Sequence, residues 1–238
     1  MLIANPIYDV VFKYLLDDNK VAKKLLGLII EKEIQTLSLR PTETRVNLEG
    51  RSNTERAPLA VFHLDFTADV IEADGQKKRV IIEFQKAKLS SEIMRFRRYL
   101  ASQYASKDDQ DGEPLPIFSI YILGHQLKGV PCPVVDIQRQ YIDRANHKVL
   151  AHRDNFVESL THDSVMIQVG RLKDKRRNTL EKVLAIFEGG KLKKHLLEFN
   201  DSDYPADYAE VIRRLQKTIA EPKVLKWWTS KTNCWRIC

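Results

Sequence analysis

The chain has 238 residues, of which 43% are hydrophobic and 30% charged, with a formal net charge of +7 and a pI near 9.2. That much apolar material builds a core and excludes a disordered chain. Membrane spanning and disulfide scaffolding are excluded too: no run approaches the ~20 consecutive apolar residues of a membrane helix, and Cys132, Cys234 and Cys238 form no disulfide framework.

The N-terminus, MLIANPIYDV, has no basic region followed by an apolar run, so no signal peptide is expected, and a reducing cytoplasm is the expected compartment. Asn5-Pro6 is a cap and first-turn pair. Ile7, Val10, Val11, Tyr14 and Leu15 then recur at helical spacing, which predicts a helix over 5–18. A second helix, from about Lys20 to Glu31, carries Val21, Leu25, Leu28 and Ile29 on one side and lysines on the other. Short strand-like pieces follow, then a polar loop, NLEGRSNTERAP.

PLAVFHLDFTADVIEA is rich in β-branched and aromatic residues and reads as a strand; Asp74-Gly75 turns it into RVIIEFQ, a hairpin. SSEIMRFRRYLASQYAS places Ile93, Phe96, Leu100 and Tyr104 at helical spacing, with Ser90 or Ser91 as cap. After the linker DDQDGEPLP, IFSIYILG reads as a fully buried strand in the middle of a sheet covered on both faces. PVVDIQRQYI and DSVMIQVG are further strand candidates, and NTLEKVLAIFE and about Tyr204 to Ile219 are helical. This order predicts an α/β fold, a mixed central sheet flanked by helices, in one domain over 1–220 (core about 5–170, helical part 171–220) with an irregular tail over 221–238.

Basic residues cluster as Lys20, Lys23 and Lys24, as Arg95, Arg97 and Arg98, as Arg171 through Arg177, and as Lys191, Lys193 and Lys194. Spread over several elements, they suit a groove that tracks phosphates; the plain alternative is a solvated basic surface. The six histidines have no partner at zinc-site spacing, and no glycine-rich phosphate loop or Gly-x-Ser-x-Gly elbow is present.

The hairpin carries an anomaly. Glu83 interrupts the apolar run of RVIIEFQ, and Gln85, two residues on, shares its face. Burying an acid costs several kilocalories per mole unless a charge or hydrogen bonds meet it. On the first strand Asp65 and Asp69 are four apart and also share a face, so the hairpin can bring one of them opposite Glu83. Two converging carboxylates make the hard oxygen site that Mg2+ or Mn2+ favours, and such an ion activates water against a phosphodiester. The plain alternative is a solvated acid, or one paired with Lys78 or Arg79.

HLDFTADVIEADGQKKRVIIEFQKAKLSSEIMRFRRYLASQY resembles the PD-(D/E)XK nuclease-family transposases, which are related to the recombination-promoting nucleases. "HLDF" matches the family's first acid, "IEFQKAK" its Glu-x-Gln, and "MRFRRYL" the helix after it; "NPIYDVVFKYLL" is similar to the opening helix. The likeness covers about residues 5 to 105 closely and 106 to 220 in general architecture. It implies a restriction-endonuclease-like fold and an Mg2+- or Mn2+-dependent DNA endonuclease linked to transposition or recombination. Asp65 and Glu83 become metal ligands, with Asp69 the rival first acid and Asp9 an additional acid near the site. Gln85 takes the place of the superfamily's lysine, Lys88 is the lysine able to swing back toward it, and Arg95, Arg98 and Tyr99 are placed to hold phosphate. Glutamine lacks the lysine's charge, so the alternative is a DNA-binding or partner-binding protein that keeps the fold and has lost most or all activity. Cutting both strands needs two sites, for which a homodimer is the expected arrangement.

Overall fold

In the computed structural model, described here for residues 1–40, 63–71, 75, 77–87, 97, 100–101, 104, 115–173, 176–188, 192–193 and 195–230, Asp18 separates two helices. It follows α1 (Asp9–Asp17), and its carboxylate accepts from the backbone N–H groups of Lys20 and Val21 at the head of α2 (Asn19–Ile30). An acid at this position satisfies donors that the first helical turn leaves over. The first helix starts at Asp9, four residues later than Asn5-Pro6 suggests. The Asn5 side chain accepts from the Ile7 N–H, and its carbonyl accepts from the Tyr8 N–H. Asn-Pro therefore builds a tight turn, which its side-chain hydrogen bond favours. α2 ends at Glu31, whose φ of 54° turns the chain into β2 (Glu33–Arg40).

Six strands form one sheet in the order β2, β3 (His63–Ile71), β4 (Lys77–Ala87), β5 (Ile117–Leu123), β7 (Asp163–Gln168), β6 (Val134–Ile137). β2–β3, β3–β4 and β6–β7 are antiparallel, while β4–β5 and β5–β7 are parallel, so the sheet is mixed. Gly75, in the connection between β3 and β4, has φ 80°, a conformation glycine adopts without strain. The parallel β4–β5 pair requires a crossover. Within it Arg97, Leu100, Ala101 and Tyr104 are helical; the remainder of the expected helix, with its serine caps, lies outside the described residues.

Alternation gives the sheet two unlike faces. Phe66, Ala68 and Val70 of β3, Val80, Ile82 and Phe84 of β4, Ile120 and Ile122 of β5 and Val165 and Ile167 of β7 all join one apolar core. That core is closed by α1 and α2 and, farther along the chain, by α4 (Thr179–Leu184) and α5 (Ala209–Thr218). The Phe12 ring of α1 lies 4.3 Å from that of Phe84, centroid to centroid. The other face carries Asp65, Thr67, Asp69, Glu83, Ser119 and Tyr121. As expected for a central strand, β5 is buried along nearly its whole length.

Four short elements went unread in the sequence. β1 (Leu2–Ala4), β9 (Leu196–Glu198) and β8 (Leu192–Lys193) make a second, three-stranded sheet, too short for periodicity to show. α3 (Asn155–Leu160) is capped by Asp154, which accepts from the Phe156 and Val157 N–H groups. The strand expected over PVVDIQRQYI stops at Ile137, because the Arg139 backbone N–H leaves the sheet to bond Asp163 Oδ1. The stretch expected as an irregular tail opens instead with a helix, α6 (Pro222–Ser230), started by proline at its first position, and Val224 is fully buried. Residues 231–238 lie outside the described residues.

Candidate active site

Asp65 and Glu83 stand directly opposite each other across β3 and β4. Both are buried, at 1% and 0% exposure, on the sheet face that the apolar core does not use. Directly paired residues bring their Cβ atoms to about 4.5–5.5 Å, which places two carboxylates side by side where water is excluded. Ser119, opposite Glu83 on β5, donates its hydroxyl to Glu83 Oε2 at 3.2 Å. Gln85 continues the same face, between His63 and Tyr121.

Two tyrosines and a histidine complete the surroundings, and the sequence reading missed all three. Tyr121, opposite Gln85, has its hydroxyl pushed up to about 12, first by burial and further by the charge of Glu83, against a lowering hydrogen bond with Ser119. Tyr104, from the crossover helix, is likewise pushed up to about 12, by burial and by Glu83, with Arg139 opposing. Its hydroxyl lies 2.8 Å from His162 Nδ1. Burial, then the charge of Arg139, lowers the pKa of His162, against a raising effect of Asp163. Ser119 and Tyr121 alternate in register with the acids, a signal present in IFSIYIL once β5 is aligned on β4. Nothing local marks Tyr104 or His162.

Beside them is a closed knot of charges. Arg139 Nε meets Asp163 Oδ1 at 2.9 Å and its Nη2 meets Glu158 Oε2 at 3.0 Å. Arg153 Nη1 lies 2.9 Å from Asp163 Oδ2, and the Tyr141 hydroxyl donates to Glu158 Oε1 at 2.8 Å. The two arginines offset the two acids, and the knot ties α3 to the start of β7 next to His162. Burial pushes the Asp163 carboxyl up, but the side-chain and backbone hydrogen bonds of Arg139 and that of Arg153 outweigh it and hold it at about 2.

The other expected site residues fall elsewhere. Asp69 pairs in register with Arg79, whose Nε lies 2.9 Å away, and accepts from the Thr36 hydroxyl at 2.6 Å. These hydrogen bonds hold its pKa down, against a smaller effect of burial. It is four residues from Asp65 along β3 and has its own partners, so Asp65 is the acid that faces Glu83. Asp9 lies on the opposite side of the sheet, 2.7 Å from Lys86 Nζ. Lys88, Arg95, Arg98 and Tyr99 lie outside the described residues; Arg97 is helical and exposed. Of the Arg171–Arg177 cluster, Arg176 pairs with Glu188 and Arg177 with Glu181.

The donor set fits a hard divalent cation. Asp65, Glu83 and Ser119 offer oxygens only, the ligand type that Mg2+ and Mn2+ take. Among the described residues, no group of three or more His, Cys, Asp and Glu converges. Mg2+ accepts that: it is commonly held by one or two carboxylates, with water and substrate phosphate filling the remaining positions. The described residues include no helix long and apolar enough to cross a membrane. No family model, no curated protein and no solved structure matches the chain.

Proposed function

We propose that the chain is a metal-dependent DNA endonuclease with a restriction-endonuclease-like fold, and that Asp65 and Glu83 hold Mg2+ or Mn2+ at its active site. One observation carries the reading: two carboxylates from adjacent strands face each other, fully buried, on a polar sheet face, followed on that face by Gln85. A cation held by Asp65 and Glu83 would polarise the scissile phosphate and lower the pKa of a water. The residues do the rest. Ser119 fixes the Glu83 carboxylate through its hydroxyl. Gln85 orients the attacking water or a phosphate oxygen. The Tyr121 hydroxyl, held protonated through neutral pH, presents a donor toward the phosphate, and Tyr104, engaged with His162, borders the site. The basic residues attract the DNA backbone, and a pair of chains delivers the two sites a double-strand break needs.

A second reading is favoured by the chemistry of β4. Glutamine carries no charge with which to stabilise the transition state, and the neighbouring Lys86 is buried on the opposite face beside Asp9. Losing one such electrostatic group costs about 10²–10³ in rate. On this reading the fold binds DNA, or a partner, without cutting it.

Nicking of supercoiled plasmid by the purified chain separates the two. With Mg2+ or Mn2+, the wild type is expected to nick and Glu83→Ala is not. Binding without nicking by either protein would select the second reading. Equal nicking by both would remove Glu83 from the chemistry.

A further inference from the structure

The first lysine cluster has no role in that site. Lys20, Lys23 and Lys24 stand on one face of α2 together with Gly27, Leu28 and Glu31, at the i, i+3, i+4, i+7, i+8, i+11 spacing that aligns side chains along a helix. They form one wall of a cleft of about 740 Å³, a size typical of small-molecule sites. The start of β2, the head of α4 with Leu180, and Tyr208 form the other walls. The cleft lies on the apolar-core side of the sheet: α2 packs there through Val21, Leu25 and Ile29, and Ile34, which joins the same core, lines the cleft. Asp65 and Glu83 face the other way. A phosphate held by these lysines therefore cannot also be one held at the acid pair.

Lys23 and Lys24 are set up as anion donors, whereas Lys20 is already paired with a carboxylate. Lys23 Nζ donates to the Gln35 carbonyl at 2.6 Å and Lys24 Nζ to the Asp207 carbonyl, while Lys20 meets Glu210 at 2.7 Å. A carbonyl fixes an ammonium without cancelling its charge, and an ammonium with one such bond has two donors left. Lys24 Nζ also lies 5.2 Å from the Tyr208 ring centroid, which sets charge and aromatic face together. Leu28, Leu180 and Tyr208 offer apolar contact, and Glu31 and Glu33 offer acceptors at the far end of the helix. At 1.5 Å per residue, Glu31 is about 16 Å along the axis from Lys20. A ligand matched to this order has an anionic end, a planar apolar body and amine donors beyond it.

We propose that the cleft binds a nucleotide, free or within a single strand, with phosphate at Lys23 and Lys24 and base against Leu28, Leu180 and Tyr208. The site is separate from the acid pair and stands whether or not that pair hydrolyses DNA.

Calorimetric titration of the full chain tests it, using ATP, an oligothymidylate of about ten nucleotides, and tripolyphosphate. ATP or the oligonucleotide is expected to bind, and the Lys23→Glu/Lys24→Glu variant to bind about tenfold or more weakly, the usual scale for losing hydrogen bonds to charged groups. The milder Lys23→Gln/Lys24→Gln pair serves if charge reversal disturbs folding, and Lys23→Arg is expected to retain binding. Tyr208→Ala is expected to weaken nucleotide but not tripolyphosphate, and Glu83→Ala to change neither. Tighter ATP than oligonucleotide assigns a free nucleotide, and the reverse assigns a strand. The proposal is overturned if neither binds, if the lysine variants bind as the wild type does, if tripolyphosphate binds as tightly as nucleotide, or if Glu83→Ala abolishes binding.

Discussion

Lys86 Nζ lies 2.7 Å from the Asp9 carboxylate, on the opposite side of β4 from Glu83. The ammonium is buried, donates to the Ile7 carbonyl at 2.9 Å and sits 5.3 Å from the Phe12 ring centroid. Burial lowers its pKa, and Asp9 opposes that by charge and hydrogen bond. The pair thus pins the head of α1 beneath the strand that carries the candidate site. Removing one partner of such a pair strands the other. Asp9→Ala is expected to cost about 3 kcal/mol in urea unfolding, and Lys86→Met distinctly less, because the Asp9 carboxylate it leaves behind is partly exposed whereas the Lys86 ammonium is buried. A cost for Lys86→Met as large as that for Asp9→Ala would mean that a stranded Lys86 ammonium is not the source of the difference.

The two candidate acids of β3 are expected to separate in function. In a thermal melt, Mg2+ at about 100 times its Kd stabilises the wild type by about 2.7 kcal/mol. Asp65→Asn and Glu83→Gln lose that gain. Asp69→Asn keeps it and keeps nicking, at a cost of about 1 kcal/mol or less, since its ion-pair partner Arg79 is exposed. Loss of the metal-dependent gain in Asp69→Asn, with Asp65→Asn unaffected, would exchange the two roles.

Asp163 sets an acid limb on stability. Its folded pKa of about 2 lies below the ordinary 3.8. Its contribution is therefore complete above 3.8 and is lost as pH falls through about 2, because the unfolded chain takes up the proton first. At one pKa unit per 1.36 kcal/mol this amounts to about 2 kcal/mol. Asp163→Asn is expected to flatten the fall in unfolding free energy over that interval relative to the wild type; two parallel curves would remove Asp163 as its source.

Gly27 looks like an error in a helix, where alanine is worth up to about 1 kcal/mol more. A Cβ there would lie 2.9 Å from the Lys32 carbonyl oxygen, a backbone atom of the turn into β2. Gly27 also receives the Lys32 N–H on its own carbonyl at 3.1 Å. Gly27→Ala is therefore expected to lower stability by about 1 kcal/mol despite its propensity gain. A rise in melting temperature would show that the turn moves aside without cost.

How much of this could be read in advance follows from how far each signal reaches along the chain. The mixed α/β organisation, the second helix, the central strand and the hairpin are local: their patterns run over seven or more consecutive residues, and Gly75 marks the turn. The facing of Glu83 and Gln85 on one side, and of Lys86 on the other, also follows from pleat alone. Which aspartate meets Glu83 did not follow, since Asp65 and Asp69 share a face and only the hairpin register, Asp65 to Glu83 and Asp69 to Arg79, separates them. Tyr104, Ser119, Tyr121 and His162 converge through parallel pairings and a crossover that link residues far apart in sequence, and no local pattern encodes such contacts. Asp9 shows the same limit in reverse. Its helix was legible, but the side of the sheet it lies on was fixed by packing Phe12 against Phe84, and that placed Asp9 beside Lys86 and away from the acid pair.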